Sequence, residues 1–467
     1  MTRLPIQDPK PLVSADAPRD DKRTFAFVSL GCPKNLVDSE RMLGKLAQNH
    51  TLVPDADGAD VVVVNTCGFI ESARQESLGV IREMLALKQQ GKVGAVVVAG
   101  CLAERKKEAL LDEVPGVDSI VGVHGREEIE AVVDRAVANR AEQRSLFRPA
   151  PVKAQLDTAR LRITPRHYAY LKISEGCDRT CTFCAIPGMR GKHVTKPIEQ
   201  VVAEAKELAA DGVRELNLVA QDTTYYGLDL YGEVRFAQLL RELDKVPGIE
   251  WIRVLYAYPI FFTDDVISAM ADAKKIVPYL DMPLQHISDR VLKRMQRKVR
   301  RADVDDLLGR LRRAMPELVM RTTFIAGFPG ETDAEFEELV EFVQEQKFGR
   351  VGVFTYSLEP GTPAVKLDGH LPEDVKNARR DRLMEVQQSI ALAWSHAQVG
   401  KTIEVLIDGA DPEMPSQMLA RGTFDCPDID CVVRVKGKNL RPGDLAKVKI
   451  TAADDYDLVA RALGPVR

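Results

Sequence analysis

The sequence predicts an α/β chain in three parts: an N-terminal parallel sheet covered by helices, a central partial barrel of six strand-helix units, and a small antiparallel β-barrel at the end. Three observations carry this. Short Val-rich runs alternate with helical stretches from Phe25 onward, as in parallel sheets buried on both faces. Strand-helix alternation resumes after an irregular segment near residue 150, and beyond Gly400 it gives way to short strands and turns. A length of 467 residues suits about three domains at roughly 150 residues each.

Residues 1–22 carry Pro5, Pro9, Pro11 and Pro18 without apolar periodicity and read as a disordered leader. Residues 23–140 hold the runs Phe25 to Leu30, Val61 to Val64 and Ala95 to Ala99, the core strands of the first domain. Residues 141–165 mix Arg144, Arg148, Lys153, Arg160 and Arg162 with prolines and read as a solvated linker. Residues 166–398 contain strands at Tyr168 to Ser174, Glu215 to Val219, Trp251 to Tyr256, Tyr279 to Met282, Leu318 to Ile325 and Val351 to Tyr356. In a βα barrel the chemistry sits at the carboxyl ends of such strands. Residues 399–467 show strands at Thr402 to Ile407, Met418 to Phe424, Cys431 to Val435 and Leu445 to Thr451, a small barrel of the OB-like kind.

The 65 basic and 69 acidic residues give a net charge of -4, so no global field draws the chain to nucleic acid or an anionic membrane. No apolar run reaches the roughly 18 residues of a membrane span. Eight cysteines are too few for a disulfide-stapled scaffold, so a cytoplasmic location is expected, where closely grouped cysteines read as metal ligands or catalytic thiols.

Six of the eight are grouped. Cys177, Cys181 and Cys184 form a Cys-x3-Cys-x2-Cys loop directly after the first strand of the middle region. Three thiolates leave a tetrahedral zinc site incomplete, but they can hold three irons of a cubane cluster and leave the fourth iron open to a substrate. Zinc with a remote histidine is the alternative. Cys32, Cys67 and Cys101 lie 35 and 34 residues apart, yet each stands just past the carboxyl end of one Val-rich run. Those ends share one edge of a parallel sheet, where open α/β folds bind ligands, so a second three-thiol site is expected; independent buried thiols are the alternative.

The loop Cys177 to Cys184 resembles the signature of radical S-adenosylmethionine enzymes. That resemblance implies a 4Fe-4S cluster that binds S-adenosylmethionine at its open iron and cleaves it to a 5'-deoxyadenosyl radical. By the same analogy Phe183 lies near the adenine. Ile325-Ala326-Gly327-Phe328-Pro329-Gly330-Glu331-Thr332 follows an apolar strand, and Thr332 with Glu335 marks a capping box. Gly327 and Gly330 allow close backbone approach to the nucleoside, and Gln221 and Gln285, each just past a strand, are further candidate contacts.

Two cysteine triads and a C-terminal small barrel together resemble the methylthiotransferase family over residues 23 to 465. This implies a second 4Fe-4S cluster on Cys32, Cys67 and Cys101 that carries the sulfur to be methylated, with a TRAM-like barrel at the end. The segments Ser29-Leu30-Gly31-Cys32 through Ser39-Glu40 and Ser174-Glu175-Gly176-Cys177 through Met189-Arg190-Gly191-Lys192 are similar to the RimO branch. That branch methylthiolates the β carbon of an aspartate in small-subunit ribosomal protein twelve. The alternatives are a MiaB-like tRNA base methylthiotransferase and a non-catalytic metal-stabilised RNA-binding module. S-adenosylmethionine is expected as methyl donor and radical source, with an unidentified electron donor and no membrane partner.

The terminal barrel argues separately on substrate. Residues 401–467 contain ten Lys plus Arg and eleven Asp plus Glu, a balance of -1, with Phe424 and Tyr456 as the aromatic residues. An RNA-gripping barrel offers a basic groove and stacking rings, so direct tRNA binding is not expected. The acidic stretch Asp425 to Asp430 would suit a basic protein, or be a solvated loop. Cys426 and Cys431, without a third cysteine nearby, read as unliganded thiols. The basic run Lys293 to Arg301, six cations in nine residues, reads as a solvated helix end, with a ribosomal RNA contact as the minority expectation.

Overall fold

The computed structural model describes residues 22–138 and 143–464. The expected leader lies almost wholly outside the described residues. Contacts divide the chain into two compact units. The first runs to Thr164 and includes Glu175–Asp178 and Ala185–Val194; the second comprises Pro165–Ser174, Arg179–Cys184 and Thr195 onward.

In the first unit, β1 (Thr24–Ser29), β2 (Thr51–Leu52), β3 (Val61–Thr66), β4 (Ala95–Gly100), β5 (Ser119–Val121) and β6 (Ser145–Leu146) form one parallel sheet in the order β2-β1-β3-β4-β5-β6. Alternate residues of each strand face opposite layers. Val62, Val64, Val96 and Val98 pack with Leu78 and Ile81 of α2 (Glu71–Gln89) and Leu102 of α3 (Cys101–Lys106), and with Leu110 of the short α4 (Ala109–Glu113). On the other face Val61, Val63 and Val97 meet Met42, Leu43 and Leu46 of α1 (Pro33–Asn49) and Ile129, Val132 and Val133 of α5 (Ile129–Val137). These valines are fully buried, each stabilising the sheet by roughly 1.5–3 kcal/mol. Register sets Asn65 level with Ser29 and Ala99, so the strands end at a common edge.

The segment expected as a solvated linker is held down. Besides supplying β6, it buries Asp157 against Arg126 (2.6 Å) and sets Arg160 on the buried Glu40 (3.3 Å), which also accepts the Ile163 N–H. A short basic and proline-rich sequence does not reveal such pairing, because the partners lie 31 residues away for Asp157 and 120 for Arg160.

The second unit holds β7 (Tyr168–Lys172), after which the two-residue strands β8 (Ser174–Glu175) and β9 (Val194–Thr195) fall where the chain crosses from one unit to the other, and then β10 (Glu215–Val219), β11 (Trp251–Val254), β12 (Ile276–Asp281), β13 (Val319–Ala326) and β14 (Arg350–Thr355). The six longer strands make a parallel sheet in the order β14-β13-β12-β11-β10-β7, the expected partial barrel, with a buried core between sheet and helices. The terminal part closes into a five-stranded barrel of β15 (Thr402–Ala410), β16 (Met418–Gly422), β17 (Val433–Lys436), β18 (Leu445–Asp454) and β19 (Asp457–Ala462). Sequence patterning missed β19, which pairs antiparallel with β18 and parallel with β17.

The acidic stretch of this barrel is partly buried: Asp425 and Cys426 are buried and Asp430 half-buried, while Asp428 and Ile429 are exposed, and its three carboxylates have partners on the central strands. It lies under the amino ends of the central strands. Asp425 pairs with Arg350 (2.7 Å), Asp428 accepts from the Tyr168 and Tyr170 hydroxyls (3.0 and 3.2 Å), and Asp430 accepts from Tyr279 (2.7 Å). Burial, partly offset by Arg350, raises the Asp425 carboxyl to about 6. Beside it Cys426 is buried, with its thiol 3.9 Å from Asn217 Oδ1. Cations in the run Lys293 to Arg301 are likewise engaged. Arg294 pairs with Asp368 (2.6 Å), Arg297 is buried over the Tyr258 ring (4.3 Å), Arg300 pairs with Asp303 (3.3 Å) and Arg301 with Glu345 (3.0 Å).

Candidate metal and cofactor site

At the carboxyl edge of the N-terminal sheet, Cys32 caps α1, Cys67 follows β3 and Cys101 opens α3. Pro33 at the first helical position starts α1 immediately after Cys32. Gly31 has φ +93°, and a Cβ there would stand 3.0 Å from Cys67 Cβ and 3.3 Å from its Sγ. Only glycine lets the two cysteine-bearing turns approach this closely.

Hydrogen bonds fix the three turns to one another. Asn35 Nδ2 donates to Leu30 O (2.6 Å) and Thr66 O (3.3 Å), Asn65 Nδ2 donates to Asn35 O (3.0 Å), and Thr66 Oγ1 donates to Ala99 O (2.5 Å). Ser77 Oγ accepts the Cys67 N–H (3.0 Å). Arg190, buried on α6 (Ile186–Arg190), donates to Cys101 Sγ (3.2 Å), Asn35 Oδ1 (3.2 Å), Asp38 (2.7 Å) and Glu175 (3.1 Å). Asp38 is shared with Arg126.

Burial, then the neighbouring Cys32 and Cys101, push the Cys67 thiol up to about 12. Burial also raises the Cys101 thiol, against the opposing pull of Arg190. The Cys67 and Cys101 thiols are therefore poor nucleophiles as they stand, and three cysteines that become thiolates on binding a cation are a donor set that fits iron. Among the described residues, no group of three metal-binding atoms within 4.8 Å of one another includes these cysteines.

Of the loop Cys177 to Cys184, Cys177 belongs to the first unit and Cys181 and Cys184 to the second. The Cys177 N–H bonds to Gly191 O (3.1 Å), and the Cys184 N–H bonds to Cys181 O (3.1 Å). Within the second unit, Arg179 pairs with Asp222 (2.7 Å) and lies over the rings of Tyr258 (4.3 Å), Phe261 (4.8 Å) and Tyr225 (5.1 Å). Thr182 bonds to Met295 O and Arg294 O (both 3.0 Å). These attachments place Cys181 and Cys184 at the carboxyl mouth of the partial barrel.

Phe183 stands edge-on to Phe328 (6.4 Å), half-buried beside Tyr356 and Val291. Gly327 has φ +74°, and a Cβ there would lie 2.2 Å from Lys376 Cγ, so this glycine is needed for helix packing. Gly330 has φ +79°, and a Cβ there would stand 3.0 Å from Arg294 Nη2. Glu331 organises the loop: its buried carboxylate accepts the N–H groups of Gly327 (3.0 Å) and Phe328 (3.2 Å) and pairs with Arg379 (2.7 Å). The expected capping box is present, with Thr332 Oγ1 accepting from Glu335 N (3.3 Å) and Glu335 accepting from Thr332 N (2.9 Å). Gln221 lies just past β10. Gln285 lies past β12, with φ +74° and its N–H and C=O bonded to Thr323 and Ile325 of β13.

Sequence reasoning did not single out Arg190, Asp38, Asn35, Arg179 or Glu331. Four of them flank a cysteine or glycine motif, and a charged residue inside such a motif was the available signal.

Comparison with known proteins agrees with this architecture. The family described as Radical SAM superfamily matches residues 171–343, Uncharacterized protein family UPF0004 matches 24–122, and TRAM domain matches 399–463. Among solved structures, the radical S-adenosylmethionine methyltransferase TsrM from Kitasatospora setae, with cobalamin and a 4Fe-4S cluster bound, has a TM-score of 0.54 at 16% identity. That match covers 73% of this chain and 77% of TsrM, a likeness of fold. The chain is 48% identical to the ribosomal protein uS12 methylthiotransferase RimO of Anaeromyxobacter sp. (strain K), over 93% of this chain and 92% of the relative. It is 46% identical to that of Aquifex aeolicus (strain VF5), over 94% and 96%. At this identity and coverage, with both cysteine triads on their expected elements, the chain belongs to the RimO family of ribosomal protein uS12 methylthiotransferases.

Proposed function

We propose that this chain replaces a C–H bond at the β carbon of an aspartate in ribosomal protein uS12 with C–S–CH3, using two 4Fe-4S clusters and two molecules of S-adenosylmethionine. The observation that carries the reading is the convergence of Cys32, Cys67 and Cys101 at one sheet edge in a chain whose barrel carries a second triad. When bound, the clusters and S-adenosylmethionine supply the electron, the radical, the sulfur and the methyl group.

The chain's own residues hold and orient. Cys177, Cys181 and Cys184 ligate the cluster that serves S-adenosylmethionine, and Cys32, Cys67 and Cys101 ligate the other. Arg190 fixes Cys101 and supplies the positive charge nearest that triad, offsetting thiolate charge. Arg179 anchors the cluster loop on Asp222 and three rings, which limits its motion when substrate enters. Phe183 provides an apolar wall near the adenine, and the Gly327 to Gly330 turn, held by Glu331, offers backbone to the nucleoside, with Gln221 and Gln285 beside it. An unidentified protein or small reductant delivers electrons.

A protein substrate is favoured over tRNA by family membership and by the terminal barrel. Of its two aromatic residues, Phe424 is buried against Trp394 (5.0 Å), so the barrel has no row of stacking rings. Mass spectrometry of ribosomal proteins and digested tRNA from cells with and without the gene tests this. The methylthio mass on uS12 is expected to vanish while modified nucleosides stay constant; loss of a methylthiolated nucleoside with unchanged uS12 would transfer the substrate to tRNA.

A further inference from the structure

We propose that His50, Glu130 and Asp134 form a separate divalent-cation site of zinc type on the first unit, on the side of α1 remote from the cysteine triad. His50 terminates α1, a helix of 17 residues that begins just after Cys32. At 1.5 Å per residue the two ends stand about 25 Å apart, so this site is independent of the cysteine edge. Glu130 and Asp134 lie four residues apart on α5 and therefore on one helical face. The apolar contact between α1 and α5 through Met42, Leu43, Leu46, Ile129, Val132 and Val133 brings the three side chains together.

Their ligand atoms, one from each residue, all lie within 4.8 Å of one another, and His50 Nε2 is 3.6 Å from Asp134 Oδ1. A tetrahedral zinc with bonds of about 2.0–2.2 Å to nitrogen and oxygen sets its ligand atoms roughly 3.3–3.5 Å apart, so the three need little movement to close on an ion.

The second observation is the imidazole itself. His50 is only 7% exposed, and neither Nδ1 nor Nε2 has a hydrogen-bond partner among the described residues. A buried ring with both nitrogens unsatisfied is unfavourable, and coordination of Nε2 removes part of that cost. Phe25 stands edge-on to the ring (6.5 Å) and fixes its tilt.

Ligand chemistry selects the ion. One neutral imidazole and two carboxylates balance a 2+ charge and leave a fourth position to solvent. Magnesium and calcium favour six or more oxygens, whereas nitrogen with carboxylate oxygen suits zinc. Two groups compete for the acids: Arg23 Nη1 lies 3.2 Å from Asp134 Oδ1, and Asn49 Nδ2 donates to Glu130 Oε1 (2.5 Å). The Arg23 pair is about half exposed on both sides and is cheaply displaced. A bound ion would tie the end of α1 to α5 and so hold the helix whose other end carries Cys32.

The test uses the full chain with both iron-sulfur sites reconstituted, so that the six cysteines are occupied. It is dialysed against micromolar Zn2+ with excess Mg2+, and zinc is counted by mass spectrometry. One zinc per chain is expected in the wild type, and Glu130→Gln and Asp134→Asn should each weaken binding about tenfold or more. Arg23→Ala should tighten binding, which a purely structural ion pair would not do. Zn2+ should also raise the thermal midpoint of the wild type but not that of the double carboxylate variant. Equal zinc in wild type and double variant would place the metal elsewhere and overturn the proposal. So would zinc no higher than the buffer background in the wild type.

Discussion

Arg190 Nη2 stands 3.2 Å from Cys101 Sγ while Nη1 of the same guanidinium bonds Asp38 and Glu175, so one buried cation joins a candidate cluster ligand to two acids. Replacing Arg190 by Met removes this partner from both Asp38 and Glu175. A cost of about 3 kcal/mol is expected from the broken buried pairs. Urea unfolding should show the loss, and iron bound by the N-terminal triad should fall. Arg190→Lys keeps the charge without the planar fork and should lie between the two.

The two triads should be separable. Replacing Cys177, Cys181 and Cys184 by Ala is expected to leave about half the iron and abolish 5'-deoxyadenosine formation, since cubane clusters of this type need their thiolates. Replacing Cys32, Cys67 and Cys101 should also halve the iron yet leave cleavage of S-adenosylmethionine in place. Full iron retention in either triple variant would remove that triad from the cluster assignment.

Gly327→Ala places a Cβ at a φ of +74° against Lys376 Cγ, so the turn held by Glu331 must shift. The left-handed conformation alone costs about 1–2 kcal/mol for a residue with a side chain. Iron content is expected to stay intact while affinity for S-adenosylmethionine falls. Combining the change with Lys376→Ala relieves the clash and should restore part of that affinity. Unchanged affinity in the folded single variant would limit this glycine to packing.

Local pattern made much of the fold legible. Runs such as Val61 to Val64 name a strand buried on both faces, and three equivalent run ends put three cysteines on one edge. What stayed hidden depends on partners distant in sequence. Asp425 to Asp430 reads as a free acidic surface until Arg350, Tyr168, Tyr170 and Tyr279 supply partners for its carboxylates, 75 to 260 residues away. Arg160 reads as a solvated linker charge until Glu40 is opposite it. Strand β19 escaped because its pattern is short and one of its two neighbours is parallel, a pairing that no hairpin signal announces.

Glu335 gives a pH dependence. Burial opposes its charge, but Arg290, the Thr332 N–H and hydroxyl, and Ser288 outweigh it and bring the carboxyl down to about 2 from an ordinary 4.5. A depressed carboxyl contributes stability above the unfolded value, and that contribution declines as pH falls from 4.5 toward 2. Glu335→Gln should therefore lose stability at neutral pH and show a shallower fall below pH 4.5. Urea midpoints of the cluster-free chain across this range provide the measurement; parallel curves for the two proteins would contradict the assignment.

The acidic stretch of the terminal barrel makes opposite predictions depending on which way it faces. As an external surface, Asp428 and Asp430 would attract a basic protein, and neutralising them would weaken binding chiefly at low salt, because exposed charges are screened over about 10 Å at 0.1 M. In the structure they accept hydrogen bonds from Tyr168, Tyr170 and Tyr279 and from the Cys426 N–H (2.9 Å), beneath the strands of the central barrel. Asp428→Asn with Asp430→Asn keeps the shape but exchanges charge-assisted bonds for neutral ones, worth about 1–3 kcal/mol in total. The expected outcome is a lower unfolding midpoint with the salt dependence of uS12 binding unchanged. A strong loss of low-salt affinity at unchanged stability would instead mean that these carboxylates meet the substrate.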